Sequence, residues 1–172
     1  MQLQNKIREI QDFPQKGINF KDITTLLKDS NALKKMIDDL CEPLKDQKID
    51  LVVGPESRGF IVGVPIAYLL NAGFVPVRKP GKLPAAIRKY EYELEYGTDS
   101  LEIHEDAITP GQRVVIVDDL LATGGTMKAT AKLIEQLGGE VVSMQFLMEL
   151  TFLNGRENLK GYPIRSLISY DK

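Results

Sequence analysis

The feature that most constrains the fold is an apolar run, residues 114–117, that ends in two adjacent carboxylates, Asp118 and Asp119. A strand that is apolar on both faces belongs in the middle of a parallel sheet that helices cover. In open sheets of this kind, ligands bind where the carboxyl ends of the strands meet their loops. The strand is therefore predicted to end at a ligand site that contains the acidic pair.

Small residues follow the acidic pair and open an amphipathic helix: Ala122, Thr123, Gly124, Gly125 and Thr126. Backbone N–H groups at the start of a helix, beside glycines that lack side chains, form a cradle for a phosphate. Carboxylates next to a phosphate repel it, so the acidic pair suits hydroxyl groups or a hydrated metal ion. The stretch predicts a sugar phosphate as the ligand.

Residues 115–126 resemble the motif that binds 5-phosphoribosyl-1-pyrophosphate (PRPP) in the type I phosphoribosyltransferases. The resemblance implies that Asp118 and Asp119 hold the ribose 2- and 3-hydroxyls, and that residues 122–126 wrap the 5-phosphate. No Gly-Lys-Ser/Thr follows the glycines, which excludes a Walker loop, and the dinucleotide fingerprint Gly-x-Gly-x-x-Gly is absent. The alternative is a core strand followed by an ordinary glycine-rich turn.

A second charged loop, Glu-Ser-Arg-Gly-Phe, comes after the first predicted strand, residues 49–53. The guanidinium of Arg58 can fork onto pyrophosphate oxygens. Ser57 and Arg58 resemble the pyrophosphate loop of the adenine-specific branch of the family, although Pro55 stands where the family often has another residue. A surface salt bridge is the alternative role for Arg58.

The loop at residues 78–84 gathers three cations among prolines and a glycine, namely Arg78, Lys79 and Lys82. Together with Arg58, three mobile cations are expected to neutralise a pyrophosphate. A solvated surface loop is the alternative.

Residues 90–96 alternate between apolar and acidic side chains, which predicts a strand with one wet face. Paired with residues 101–105, it forms a two-stranded flap outside the main sheet. Leu-Glu-Tyr-Gly resembles the closing loop of the adenine-specific branch, which implies that Glu95 and Tyr96 close over the substrates. On the pattern alone, Glu95 belongs to the wet face of the hairpin.

The N-terminal segment, residues 1–30, is expected to form a separate hood that begins with a helix over residues 3–10. Its Phe-Lys-Asp-Ile resembles the base-binding hood of the adenine-specific branch. The resemblance implies that the backbone at Asn19 and Lys21 reads the base and that Phe20 stacks on it. A plain core aromatic is the alternative role for Phe20.

Length and charge narrow the class of protein. The 172 residues most simply form one domain, with a flap at residues 79–106. A net charge of −2 gives no reason to expect a nucleic acid or a membrane surface as partner. The apolar runs are too short to span a bilayer, and the single cysteine, Cys41, fits a reducing compartment. A soluble, cytoplasmic protein is expected.

Together these features predict an α/β fold, with a mainly parallel sheet of about five strands, helices on both faces, an N-terminal hood and an inserted flap. The resemblance implies a homodimer that converts adenine and PRPP to AMP and pyrophosphate with Mg²⁺ as cofactor. Mg²⁺ is expected to be held mainly by PRPP and to reach Asp118, if at all, through water. The expected catalytic residues are Arg58, Glu95, Asp118 and Asp119.

Three other functions remain open. The chain could be a phosphoribosyltransferase for another purine base, or a PRPP-sensing regulator without catalysis, although a regulator usually adds a basic DNA-binding segment. A receiver domain also ends a strand in two aspartates. In that class the pair belongs to the first strand, whereas more than a hundred residues precede it here.

Overall fold

The computed structural model describes residues 1–94 and 96–172. These residues divide into two compact units, Met1–Asp39 and Leu40–Lys172. The prediction of one domain, with a hood at residues 1–30 and a flap at 79–106, stays a prediction. Within the described residues, no helix has the length and apolarity needed to cross a membrane.

The first unit starts with a single 3₁₀ turn, Leu3–Lys6, and then pairs two short antiparallel strands, β1 (Arg8–Ile10) and β2 (Phe20–Asp22). Helix α1 (Thr24–Leu27) follows, and α2 (Ser30–Cys41) comes next. The helix predicted over residues 3–10 is wrong, because β1 is extended and pairs with β2. The guanidinium of Arg8 bonds Asp22 across the strands and, with Thr24, lowers the pKa of that carboxyl to about 2.

The second unit contains a five-stranded sheet, two α-helices and a separate two-stranded hairpin. Its elements are β3 (Leu51–Pro55), α3 (Arg58–Leu70), β4 (Gly73–Val77), β5 (Ile87–Glu93), β6 (Thr98–His104), β7 (Arg113–Leu121), α4 (Gly125–Gln136), β8 (Glu140–Leu150) and β9 (Ile164–Tyr170). Five strands form a parallel sheet in the order β4-β3-β7-β8-β9. The predicted parallel sheet is confirmed, and β4 and β9 form its two edges.

The central strand β7 is covered on both faces. Val114 and Ile116 pack with α4 in one apolar core. On the opposite face, α3 comes so near that a Cβ on Gly63 would lie 3.1 Å from Val117. The prediction of helices on both faces of the sheet is confirmed, and it explains why residues 114–117 are apolar without interruption.

The flap is an antiparallel hairpin of β5 and β6, with Glu93 opposite Thr98. Tyr90 and Tyr92 are partly buried against the core, while Leu94 is exposed. The hairpin predicted from the alternation is confirmed. Both strands begin three residues earlier than expected, and between them the Leu94 N–H donates to the Gly97 carbonyl oxygen.

Candidate active site

The acidic pair lies near the carboxyl end of the central strand. Asp119 is 3% exposed and Asp118 is partly buried. The strand does not end at the pair, as the sequence predicted, but runs on to Leu121, because β8 continues to pair with it as far as Leu121. The two carboxylates therefore stand on a rigid strand rather than on a loop.

Arg58, at the start of α3, reaches the acidic pair. Its Nε donates to Oδ2 of Asp119 at 2.6 Å. Asp118 accepts a hydrogen bond from the backbone N–H of Asp119 at 2.8 Å. Burial and the adjacent Asp119 carboxylate raise the pKa of Asp118 well above its ordinary value. Asp119 is thus paired with a cation, whereas burial disfavours the ionised form of Asp118.

We predict that Asp118→Asn stabilises the ligand-free protein at pH 8. An unfolded chain loses the Asp118 proton near the ordinary carboxyl pKa, whereas the folded chain holds it to a higher pH. As pH rises through this interval, the aspartate lowers the free energy of unfolding, and the asparagine does not. Thermal denaturation should give the variant a Tm a few degrees higher at pH 8 and no difference near pH 4.

The control for this measurement is Asp106→Asn, since Asp106 is an exposed acid in the turn after β6. A Tm difference that is the same at both pH values would contradict the prediction, because it would not follow the ionisation of Asp118.

The small residues after the pair surround a cavity. Its volume is about 100 Å³, and it is lined by Asp118 and by residues 120–127, which include all five residues predicted for the phosphate cradle. Gly124 is the N-cap of α4 and has a φ of 86°, in the left-handed region that favours glycine. The positive end of the α4 dipole therefore faces this cavity, as an anion requires.

The cations of the 78–84 loop converge on acids. Glu56 accepts Lys82 Nζ at 2.6 Å, and Arg78 Nε lies 3.4 Å from it. Lys79 forms an ion pair with Asp99 on β6. Each of the three cations therefore has a carboxylate partner, and their role in neutralising a pyrophosphate stays a prediction. Ser57 occupies the N-cap position of α3, between Glu56 and Arg58, without a capping hydrogen bond from its side chain.

In the flap, Tyr92 rather than Tyr96 lies near the start of α4. The closing role of Tyr96 stays a prediction. Tyr96 is 87% exposed. The ring of Tyr92 instead lies 3.7 Å from where a Cβ on Gly125 would be, and its hydroxyl donates to Asp99 at 3.3 Å. The alternation of residues 90–96 places Tyr92 on the apolar face, and this was the one signal in the sequence for its position. Glu95 lies outside the described residues, and its role stays a prediction.

The residues predicted to read the base belong to the first unit. Phe20 packs edge-on against Phe13, with ring centroids 5.2 Å apart. Lys21 pairs with Glu9 at 2.9 Å, and the Asn19 amide donates to the same carboxylate at 2.7 Å. The Lys21 ammonium and the Asn19 amide nitrogen are thus engaged with Glu9, while the buried Oδ1 of Asn19 has no hydrogen-bond partner among the described residues. The segment was predicted to read the base through its backbone. That role stays a prediction.

Comparison with known proteins gives consistent results. Residues 22–149 match the family described as phosphoribosyl transferase domain. The chain is 69% identical to an adenine phosphoribosyltransferase of Alkaliphilus metalliredigens, over 99% of this chain and 100% of the relative. It is similar to the crystal structure of adenine phosphoribosyltransferase from Thermoanaerobacter pseudethanolicus, with 64% identity, 98% of each chain covered and a TM-score of 0.94. The Saccharomyces cerevisiae enzyme, solved with an imino-altritol bisphosphate and adenine, is 43% identical over 96% of each chain, with a TM-score of 0.90.

Proposed function

The chain belongs to the phosphoribosyltransferase family, and we propose that it transfers the phosphoribosyl group of PRPP to adenine, giving AMP and pyrophosphate in purine salvage. The observation that carries the proposal is the cavity after β7, where Asp118 and the glycine-rich start of α4 face the same space. An anion site beside carboxylates matches a sugar phosphate. The similarity to adenine phosphoribosyltransferases over nearly the whole chain supports adenine as the base.

The reaction requires one bond to form and one to break at the anomeric carbon of the ribose. A ring nitrogen of adenine bonds to that carbon and loses its proton, while the carbon–oxygen bond to pyrophosphate breaks and the oxygen keeps the electron pair. Positive charge develops on the sugar ring, where Asp118 and Asp119 stabilise it while they hold the hydroxyls. The α4 N-terminus holds the 5-phosphate and so fixes the distance of the sugar from the acids.

The cations handle the opposite charge. Negative charge builds on the departing pyrophosphate. The groups that can stabilise it are Arg58, Lys79 and Lys82. Each must exchange a carboxylate partner for a phosphate oxygen. A flap that carries Glu95 and Tyr96 closes over the complex in this proposal and excludes water that would otherwise hydrolyse PRPP.

Mg²⁺ is the proposed cofactor. Among the described residues, no three histidine, cysteine or acidic side chains gather to hold a metal ion. The donors at hand fit an ion carried by substrate phosphates, with the partly buried carboxylate of Asp118 within reach through water. When bound, Mg²⁺ neutralises charge on the leaving pyrophosphate.

A homodimer in the cytoplasm is proposed as the working form. The outer face of α3 exposes large apolar side chains in helical spacing: Ile61, Val64, Tyr68 and Leu69. Apolar patches of this kind mark protein contacts, and a second copy of the chain is the proposed occupant. Cys41 is buried and unbridged, which fits a reducing compartment. Sedimentation velocity tests the assembly, and a monomer at micromolar concentration would contradict it.

We predict that catalytic efficiency with adenine exceeds that with hypoxanthine or guanine by about 10⁴-fold or more. Adenine presents an amino donor beside an unprotonated ring nitrogen, and hypoxanthine presents the reverse pattern. Backbone groups at Asn19 and Lys21 that match adenine would leave hypoxanthine with two buried, unpaired polar groups. The assay mixes the protein, PRPP, Mg²⁺ and each base and measures nucleotide formed.

The same assay separates the proposal from its alternatives. Comparable efficiency for adenine and hypoxanthine would refute adenine specificity and favour a transferase for another base. PRPP binding without nucleotide from any base would indicate a regulator. Full activity after Mg²⁺ is chelated would contradict the cofactor. Among variants, Phe20→Ala should weaken adenine use, whereas Asn19→Ala should keep the preference.

A further inference from the structure

A short 3₁₀ segment after β8, Gly155–Leu159, packs against the loop that lines the cavity. A Cβ on Gly124 would come within 2.7 Å of the Gly155 carbonyl oxygen, and a Cβ on Gly155 would overlap the Ala122 carbonyl oxygen. The two backbones are thus in contact with no side chain between them. The cavity loop therefore cannot move toward this segment without a backbone clash.

One side chain of this segment bonds the loop. Asn158 Nδ2 donates to the Thr123 carbonyl oxygen at 2.6 Å. The peptide bond between Thr123 and Gly124 is trans, so its C=O and N–H point in opposite directions. A hydrogen bond that holds the Thr123 carbonyl toward Asn158 therefore turns the Gly124 N–H away from Asn158, and Gly124 lines the cavity.

The segment that carries Asn158 is itself anchored. Glu149, 5% exposed at the end of β8, accepts Arg156 Nε at 2.8 Å and Nη2 at 2.9 Å. Ser166 on β9 donates to the same carboxylate at 2.8 Å. Arg156 and Ser166 hold the pKa of Glu149 below its ordinary value despite burial, so the pair stays charged. Leu159 closes the segment in the apolar core.

We propose that Asn158 is a positioning residue for the 5-phosphate of PRPP, and that the Glu149–Arg156 ion pair holds it in place. Neither group takes part in the chemistry. Their effect passes through the orientation of the Thr123–Gly124 peptide, one of the N–H donors at the start of α4. The inference rests on the proposed function, because it assigns the 5-phosphate to this cavity.

Calorimetric titration of Asn158→Ala tests the proposal. Loss of one hydrogen bond on the loop should weaken binding of PRPP and of AMP, which both carry a 5-phosphate, by about five- to tenfold. Pyrophosphate lacks that group, so its affinity should not change. In kinetics, KM for PRPP should rise while KM for adenine stays the same. Asn158→Asp, which keeps the size but loses the donor, should show at least the same loss.

Two further variants complete the test. Arg156→Lys should also weaken binding of PRPP and AMP, because an ammonium cannot bridge both oxygens of Glu149. The loss should be smaller than in Asn158→Ala, since the hydrogen bond to Thr123 is kept. Glu157→Ala is the control, since Glu157 is an exposed neighbour that pairs only with Lys160 in the ion pairs of the described residues.

Two results would overturn the inference alone: unchanged affinity for PRPP and AMP in folded Asn158→Ala, or an equal loss for pyrophosphate, which would indicate a general structural defect. A wild-type chain that binds neither PRPP nor AMP would overturn the proposed function itself.

Discussion

Asp119→Ala is expected to lower turnover by about a hundredfold or more, which is the usual effect of losing a preorganised contact to the transition state. Asp119 is nearly buried, fixed on the central strand, and bonded to Arg58 at 2.6 Å. Its removal takes away a ribose ligand and a negative charge near the developing cation. It also leaves the guanidinium of Arg58 without this partner.

Steady-state rates with saturating adenine, PRPP and Mg²⁺ measure the effect. Asp119→Asn keeps the shape without the charge and should lose most of the rate as well. Asp106→Ala removes an exposed acid and should leave turnover unchanged. Near-wild-type turnover in both Asp119→Ala and Asp118→Ala would mean that the acidic pair is not the catalytic centre.

Gly124→Ala is expected to weaken PRPP binding by about a hundredfold. Backbone strain and steric overlap together should cost roughly 3 kcal/mol of binding free energy. The residue has a φ of 86°, and its new Cβ would lie 2.7 Å from the Gly155 carbonyl oxygen. Since the segment behind it is anchored, the loop can relieve the overlap only by moving into the cavity. Calorimetric titration with PRPP gives the dissociation constant.

Gly111→Ala separates the two causes. Gly111 has a φ of 90°, but a Cβ there would meet nothing within 4 Å. The control should therefore lose some stability and keep its PRPP affinity. Equal affinities for wild type and Gly124→Ala, in a variant whose circular dichroism shows the native fold, would exclude this loop as the phosphate site.

The sequence predicted the sheet well because its strands carry their own signal. An unbroken apolar run needs cover on both faces, and alternation needs cover on one, so β7 and the flap could be placed from residue pattern alone. The prediction for the N-terminal segment was wrong because it also relied on a local pattern. Leu3, Ile7 and Ile10 have helical spacing, but pairing with β2, ten or more residues away, overrides it.

The site was predictable in its residue types but not in its ion pairs. Arg58 and Asp119 are 61 positions apart, and Lys82 and Glu56 are 26 apart. Nothing local in the sequence indicates that these groups meet. Asn158 was missed for a similar reason, because its contact with Thr123 spans 35 residues and a lone asparagine in a polar segment gives no pattern.

The ion pairs of the three cations proposed to bind pyrophosphate affect how an anionic substrate reaches the protein. Arg58, Lys79 and Lys82 each have a carboxylate neighbour before any ligand is present. The field of a closely paired charge falls off faster than that of a lone one, so long-range steering of PRPP from solution is weak. The capture rate should then vary little with ionic strength. The protein therefore discriminates among phosphate compounds after the encounter complex forms. Only an anion that displaces several carboxylates at once stays bound.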